Sequence, residues 1–372
     1  MNIAIACGGT GGHAYPGLAT AEELRRRGHE VTLWFTGRDS EKAIRAEWTA
    51  QGGRTVEIPS KGLNSFAPHR ALGTLLAIHR ATVAAAAAMR ADRPDALLAM
   101  GSYASAGPCR AALSLGVPVV LHEANVIPGR MIACYARRAA TVAVGFEETR
   151  RWLRKAHVEA VGIPVRRRLA EQAAEAAAVP RPERAPGAPL RLLVTGGSLG
   201  AAQLNRVAAE AVCAAAGRGL ALSVVHLAGA RDEAAVRERY AAAGVDADVR
   251  AYESDMAPLY AAADLALCRA GGSTCSELAL FGLPALLVPY PHAAKDHQTA
   301  NAEALERRGC ADRIPERDLT APWLENYLAE IARRPDRLER MRAAARRNGI
   351  PEGTAALADC VERAARQNAP AP

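Results

Sequence analysis

Short, nearly continuous apolar runs alternate with longer amphipathic, alanine-rich segments along the chain. The runs predict strands over residues 3–7, 31–35, 96–100, 117–121 and 141–144, and a second set over 190–195, 222–227, 248–252, 264–268 and 285–289. Strands apolar on both faces belong inside a sheet, and the segments between them read as helices. Alternating βα units imply parallel sheets covered by helices on both sides. The two sets open alike. Cys7-Gly8-Gly9-Thr10-Gly11-Gly12 follows the first strand of one, and Thr195-Gly196-Gly197-Ser198-Leu199-Gly200 follows the first strand of the other. The expected fold class is α/β, with two Rossmann-like doubly wound parallel-sheet domains facing an interdomain cleft.

Residues 171–189, rich in Ala, Pro and charge, predict a surface excursion, and the hinge is expected nearby, around 162–166. That sets the domains at 1–164 and 165–349. Residues 350–367 read as one last helix with Pro351 in its first turn. A length of 372 residues suits about two domains, each able to bury its own core. With 50% hydrophobic and 23% charged residues, the composition is that of a globular protein. The net charge of +8 favours anionic partners. There is no arginine-rich tail and no basic run interleaved with aromatics, so nucleic acid is not expected. The eight cysteines include no C-x-x-C pair, which points away from a disulfide framework or zinc site and towards a reducing compartment. No basic n-region or cleavage site opens the chain. The longest apolar stretch, 81–89, falls short of the ~20 residues needed to span a bilayer. The expected location is cytoplasmic, with contact to a membrane surface left open.

Three glycine-containing strand ends carry candidate chemistry. In Gly8-Gly9-Thr10-Gly11-Gly12-His13, glycines let the backbone approach a ligand while the next helix aims its amides at an anion. Ala14 stands where a dinucleotide fingerprint needs its last glycine, and the second strand ends in Thr36-Gly37 instead of an acid that could hold a ribose. The second turn, Gly196-x-Ser198-x-Gly200, formally matches a hydrolase nucleophile elbow, with Asp264 and His292 or His297 as triad partners. The same turn recurs at Gly8 to Gly12 without a nucleophile, which favours phosphate binding. The third, Cys268-Arg269-Ala270-Gly271-Gly272-Ser273-Thr274-Cys275-Ser276-Glu277, has two readings. Thr274 and Glu277 form a capping box, or the helix end takes a diphosphate while Glu277 takes ribose hydroxyls. A polar loop over 289–301 follows another strand; a metal site from His292, Asp296 and His297 is conceivable but lacks firm spacing. His122 and Glu123, at the end of a first-half strand, are either base and orienter or a buried pair.

Together the stretches GGTGGHAYPGLA from Gly8, VLHEAN from Val120, VGIPVR from Val161, GGSLG from Gly196 and the segment 269–301 resemble the MurG family, glycosyltransferase family 28. The resemblance runs nearly end to end. It implies the two-Rossmann GT-B fold, with residues 350–372 returning to the N-terminal domain. The implied activity is inverting transfer of N-acetylglucosamine from UDP-GlcNAc to the MurNAc 4-hydroxyl of lipid I, which forms lipid II for peptidoglycan. It places Thr10, Gly11 and Gly12 by the donor sugar and diphosphate and His13 near the acceptor. It puts Asn125 on the transferred sugar, Arg166 and Ser198 on the diphosphate, and Gly272, Ser273, Thr274, Cys275 and Ser276 along uridine and phosphate. Glu277 would take the ribose, Gln298 the sugar hydroxyls and Glu253 a backbone contact to uracil, while Tyr103, His122 and Glu123 match acceptor-side positions. His13 or Glu123 would be the catalytic base. Three positions depart from the family pattern: Ile163 for Asn, Leu199 for Gln and Ser102 for Gly.

The resemblance also implies partners. These are UDP-GlcNAc, undecaprenyl-linked lipid I, an anionic membrane surface and other cell-wall synthesis and division proteins. No cofactor is implied, and a divalent metal is not obligatory. The implied location is the cytoplasmic face of the cell membrane, peripherally bound. Leu63, Phe66, Leu72, Leu75, Leu76, Ile78 and Val83, flanked by Arg70, His79 and Arg80, could form the interfacial patch or pack in the core. Competing readings are a GT-B enzyme with another acceptor, an esterase-type hydrolase and a non-catalytic UDP-binding scaffold.

Overall fold

The computed structural model describes residues 1–9, 11–59, 68–179, 181, 184–185, 187–197 and 200–367. The chain divides into two compact units, one of Met1–Arg167 with Pro351–Pro372 and one of Arg168–Ile350. In the first, β1 (Asn2–Ala6), β2 (Glu30–Phe35), β3 (Arg54–Glu57), β4 (Ala96–Ala99), β5 (Val119–Glu123), β6 (Thr141–Val144) and β7 (Val158–Ala160) form a parallel sheet in the order β3-β2-β1-β4-β5-β6-β7. In the second, β8 (Leu190–Thr195), β9 (Leu222–Leu227), β10 (Ala247–Arg250), β11 (Leu265–Cys268), β12 (Ala285–Leu287) and β13 (Ala311–Arg313) pair in parallel as β10-β9-β8-β11-β12-β13. Both are doubly wound Rossmann-like sheets. Strand order reverses between β1 and β4 and again between β8 and β11. In open α/β sheets, ligands bind at such reversals, outside the carboxyl ends of the strands.

The three strands that the apolar pattern did not predict are β3, β7 and β13, and each lies at a sheet edge. An edge strand is half solvated and short, so it carries no apolar run; β3 reads Arg-Thr-Val-Glu and β13 Ala-Asp-Arg. Two other expectations are corrected. Much of the predicted surface excursion at 171–189 is helix, because Arg167–Ala178 is amphipathic and buries Leu169 and Ala173 one turn apart. The final helix spans Thr354–Gln367, and Pro351 precedes it instead of opening it. The Pro351 carbonyl accepts a hydrogen bond from the Ile163 amide (3.2 Å), and the Gly353 amide donates to the Ile163 carbonyl (3.1 Å). This helix buries Leu357, Ala358, Val361 and Ala364 against Ile3, Ile5 and Leu18. Ile163 is itself fully buried, tight against Gly145, so an apolar side chain suits this departure from the family pattern.

On the opposite face of the first sheet, the helix Pro68–Ala91 packs Ala81, Ala85 and Met89 inward. It lies so close to the helix Ala106–Ser114 that a Cβ at Gly107 would stand 2.6 Å from that of Ala81. Its other face points to solvent: Leu75, Leu76 and Val83 are 63%, 50% and 55% exposed. Ile78 is half-buried, and His79 and Arg80 are exposed. Core packing is therefore excluded for Leu75, Leu76 and Val83. Leu63, Phe66 and the side chains of Arg70 and Leu72 lie outside the described residues. No helix among the described residues is long and apolar enough to cross a membrane.

Candidate active site

In the first unit the reversal point is framed by the turn after β1 and the loop after β4. Gly9 sits at φ +129°, a region that favours glycine. Its amide donates to Glu41 Oε1 (2.8 Å), and its carbonyl accepts from Ser40 Oγ (3.1 Å). Glu41 is 2% exposed and also accepts from the Thr36 amide (2.8 Å), Thr36 Oγ1 (2.7 Å), the Gly37 amide (3.1 Å) and the Arg38 amide (3.3 Å). The turn leads into the helix Gly11–Arg26, whose first residues include exposed Gly12 and half-buried His13. A Cβ on Gly101, in the loop after β4, would lie 3.3 Å from His13 Nε2. Thr10 lies outside the described residues.

Next to Gly101, Ser102 adopts φ +64° with ψ 156°, close to a conformation reserved for glycine. Its departure from the family pattern is thus felt as backbone strain. Tyr103 follows, with its hydroxyl buried and partnerless among the described residues. The Arg38 guanidinium lies 4.9 Å from its ring centroid. Burial raises the Tyr103 phenol above its ordinary value.

His122 and Glu123 end β5, where successive side chains point to opposite faces. His122 is buried with Nε2 3.2 Å from the Gly162 carbonyl oxygen, and desolvation lowers its pKa to about 4. Glu123 folds onto its own loop: Oε1 accepts from the Asn125 amide (2.9 Å) and Nδ2 (3.0 Å), and Oε2 from the Gly129 amide (2.7 Å). The base-and-orienter pairing is therefore corrected, since each residue serves a different neighbour. Arg166 stacks over Tyr15 at 4.7 Å, in the helix that follows the first turn.

In the second unit the turn after β8 closes on itself. The Gly197 amide donates to Thr195 Oγ1 (3.3 Å), and the Gly200 amide to the Gly197 carbonyl (2.9 Å). Ser198 and Leu199 lie outside the described residues. Below the turn is a closed polar network. Tyr240 OH meets His226 Nδ1 (3.0 Å), and His226 Nε2 meets Asn205 Oδ1 (3.2 Å). Asn205 Nδ2 in turn donates to the Ala228 carbonyl (2.7 Å) and Asp232 (2.9 Å). Because that Asn205 amide is the donor, Nε2 of His226 carries the proton and Nδ1 accepts from tyrosine. Burial lowers His226 to about 4, so the ring is neutral near pH 7.

Across the reversal, β11 feeds the helix Gly272–Phe281 with Gly271 as N-cap and no side-chain cap. Thr274 is already inside the first turn and Glu277 accepts from Tyr260 OH (2.7 Å), so the expected capping box does not form. The Ser273 and Ser276 hydroxyls are buried and partnerless among the described residues. Cys275 is buried, with its thiol raised well above its ordinary value by desolvation, so only its backbone suits a ligand. Gln298 Oε1 accepts from the amides of Ala270 (3.2 Å) and Tyr290 (2.9 Å), holding the two loops together. Glu253 is bound by Arg250 and by the Asp255 amide (2.9 Å), and its pKa is lowered by these contacts.

Two weighed alternatives fail on geometry. Asp264 stands at the amino end of β11, paired with Arg181 (2.6 Å) and Arg191 (2.8 Å), whereas the second turn leaves a carboxyl end. It cannot orient a triad histidine there. His292, Asp296 and His297 do not form a group able to hold a metal among the described residues. Sequence reasoning missed Glu41 and Tyr260. Glu41 lies six residues past the end of β2, and its partner Gly9 is far away in sequence. Tyr260 carried no local signal.

Residues 3–144 match the glycosyltransferase family 28 N-terminal domain, and residues 191–357 match its C-terminal domain. A UDP-N-acetylglucosamine–N-acetylmuramyl-(pentapeptide) pyrophosphoryl-undecaprenol N-acetylglucosamine transferase of Anaeromyxobacter dehalogenans is 38% identical, over 99% of this chain and 94% of its own. The enzyme of the same name from Thiobacillus denitrificans is 39% identical over 98% of both chains. The crystal structure of Acinetobacter baumannii MurG superposes with a TM-score of 0.78 at 27% identity, covering 97% of this chain and 99% of that one. Paired Rossmann-like sheets, glycine turns at both reversal points and this end-to-end similarity make the chain a member of the MurG family, glycosyltransferase family 28.

Proposed function

We propose that the chain transfers N-acetylglucosamine from UDP-GlcNAc to the MurNAc 4-hydroxyl of lipid I, forming lipid II for peptidoglycan. The observation that carries the donor half is the uncapped helix Gly272–Phe281, with two buried hydroxyls waiting on its first turns. Bare amides, a helix dipole and unsatisfied hydroxyls suit a diphosphate. Glu277, aimed by Tyr260, takes the ribose hydroxyls, and the Gln298 amide nitrogen reaches the sugar. The family resemblance assigns Arg166 and Ser198 to the diphosphate.

The reaction is a single displacement with inversion. The 4-hydroxyl oxygen bonds to the anomeric carbon as the bond to the β-phosphate oxygen breaks, and UDP leaves with the bonding pair. His13 accepts the hydroxyl proton. Glu123 is less suited to that task because both oxygens already hold its own loop, so its role is to place Asn125 against the sugar. Electrostatic stabilisation of the leaving diphosphate by helix amides does the work that a metal does elsewhere. The enzyme works at the cytoplasmic face of the membrane, where Leu75, Leu76 and Val83, flanked by His79 and Arg80, rest on an anionic leaflet.

Radiolabelled transfer from UDP-GlcNAc to lipid I tests the assignment. His13→Ala is expected to lower kcat about 100-fold or more. Glu277→Ala should raise KM for UDP-GlcNAc about tenfold, as loss of a strong hydrogen bond does. Both variants should keep native circular dichroism. Near-normal transfer by both would overturn the roles. Flotation with anionic liposomes tests the membrane patch, and failure of the protein to float would remove it.

A further inference from the structure

We infer that Glu41, with Ser40, is a positioning residue for the transfer, acting through the first glycine turn on His13. The inference rests on the proposed function. Its starting point is an expensive arrangement. Glu41 is buried, and its five donors among the described residues are neutral amides and one hydroxyl. A carboxylate taken out of water without a cation is costly, and joining the ends of β1 and β2 could be done by a neutral side chain. The carboxylate earns its place by what it fixes.

Ser40 and Glu41, adjacent in one short turn (Asp39–Glu41), grip the carbonyl and the amide of the same glycine. Gly8 is also tightly enclosed, since a Cβ there would lie 2.8 Å from Thr36 Cγ2 and 3.0 Å from Glu41 Oε1. One residue separates Gly9 from the helix Gly11–Arg26. The angle of the Gly9 peptide therefore sets where that helix begins and in which direction His13 leaves it. With its amide committed to Glu41, Gly9 offers nothing to a phosphate. At Gly9, then, the turn serves to aim a side chain.

The test is a double-variant cycle on the full chain, with lipid I and UDP-GlcNAc. Glu41→Gln keeps the volume but puts an NH2 group among five donors. It is expected to lower kcat about 100-fold, as a small misplacement of a catalytic group does, with KM for UDP-GlcNAc within about twofold. On a His13→Ala background the same change should cost almost nothing further, because its effect passes through His13. Ser40→Ala, a milder change, should lower kcat about fivefold with the same dependence on His13, and it carries the test if Glu41→Gln does not fold. Unchanged kcat, a parallel rise in donor KM, or a loss that multiplies fully with that of His13→Ala would overturn the inference. Failure of the unaltered chain to transfer the sugar would instead overturn the functional reading.

Discussion

The two glycine turns occupy the same place in the same topology, yet they are held by different means. The first is gripped from outside by Ser40 and Glu41, which belong to the connection after β2. The second is held by its own backbone: Gly200 donates to Gly197 and packs onto the Ala228 carbonyl, which Asn205 fixes from below. A motif repeated in sequence therefore does not repeat a mechanism. The first turn depends on two side chains from a neighbouring connection, whereas the second relies on glycines at positive φ in its own backbone.

The sharpest way to break this comparison is Gly200→Ala. A Cβ at Gly200 would stand 2.4 Å from the Ala228 carbonyl oxygen, at φ +73°. The change should destabilise the second unit by about 4 kcal/mol, read by urea unfolding. A loss below about 1 kcal/mol would mean that the turn is not self-held.

Next in size is a pH effect shared by both units. His226 lies under the second turn and His122 at the end of β5, and burial brings each down to about 4 from an ordinary 6.5. The unfolded chain binds these protons more readily, so stability is full above pH 6.5 and is lost as pH falls towards 4. Each histidine accounts for about 3 kcal/mol across that window. Denaturant titrations at pH 7, 6, 5 and 4.5 should show the decline, and His226→Asn should flatten its share. A pH-independent midpoint would contradict the burial. The smallest effect is expected at Ser102. Glycine there should relieve strain and raise stability by about 1 kcal/mol, less whatever the 3.3 Å bond to the Ala104 amide contributes. A lower midpoint for Ser102→Gly would show that this hydroxyl matters more than its backbone angle.

The central strands were legible because burial on both faces writes itself as apolar runs, as in Leu190–Thr195 and Thr141–Val144. Edge strands β3, β7 and β13 were not, since half their surface is wet. Local rules also misled where tertiary partners outbid them. Thr274 and Glu277 spell a capping box, but the helix starts earlier and Tyr260, a residue from another helix, takes the carboxylate. The site's glycines announce themselves because close backbone approaches demand them. Glu41 does not, because its meaning comes from Gly9, far away in sequence and reached only once β1 and β2 are paired.

The return of the last helix to the first sheet inverts the usual order of events on the ribosome. The middle of the chain, Arg168–Ile350, is a self-contained unit once synthesised, but the strands made first remain without part of their cover. Ile3, Ile5 and Leu18 must wait for Leu357 and Val361, which are made long after them. Opening segments normally fold before later ones during synthesis. Here the newborn N-terminal sheet stays sticky until residues 354–367 have been made, and a chain cut short before Thr354 would leave that apolar face for chaperones and proteases to find.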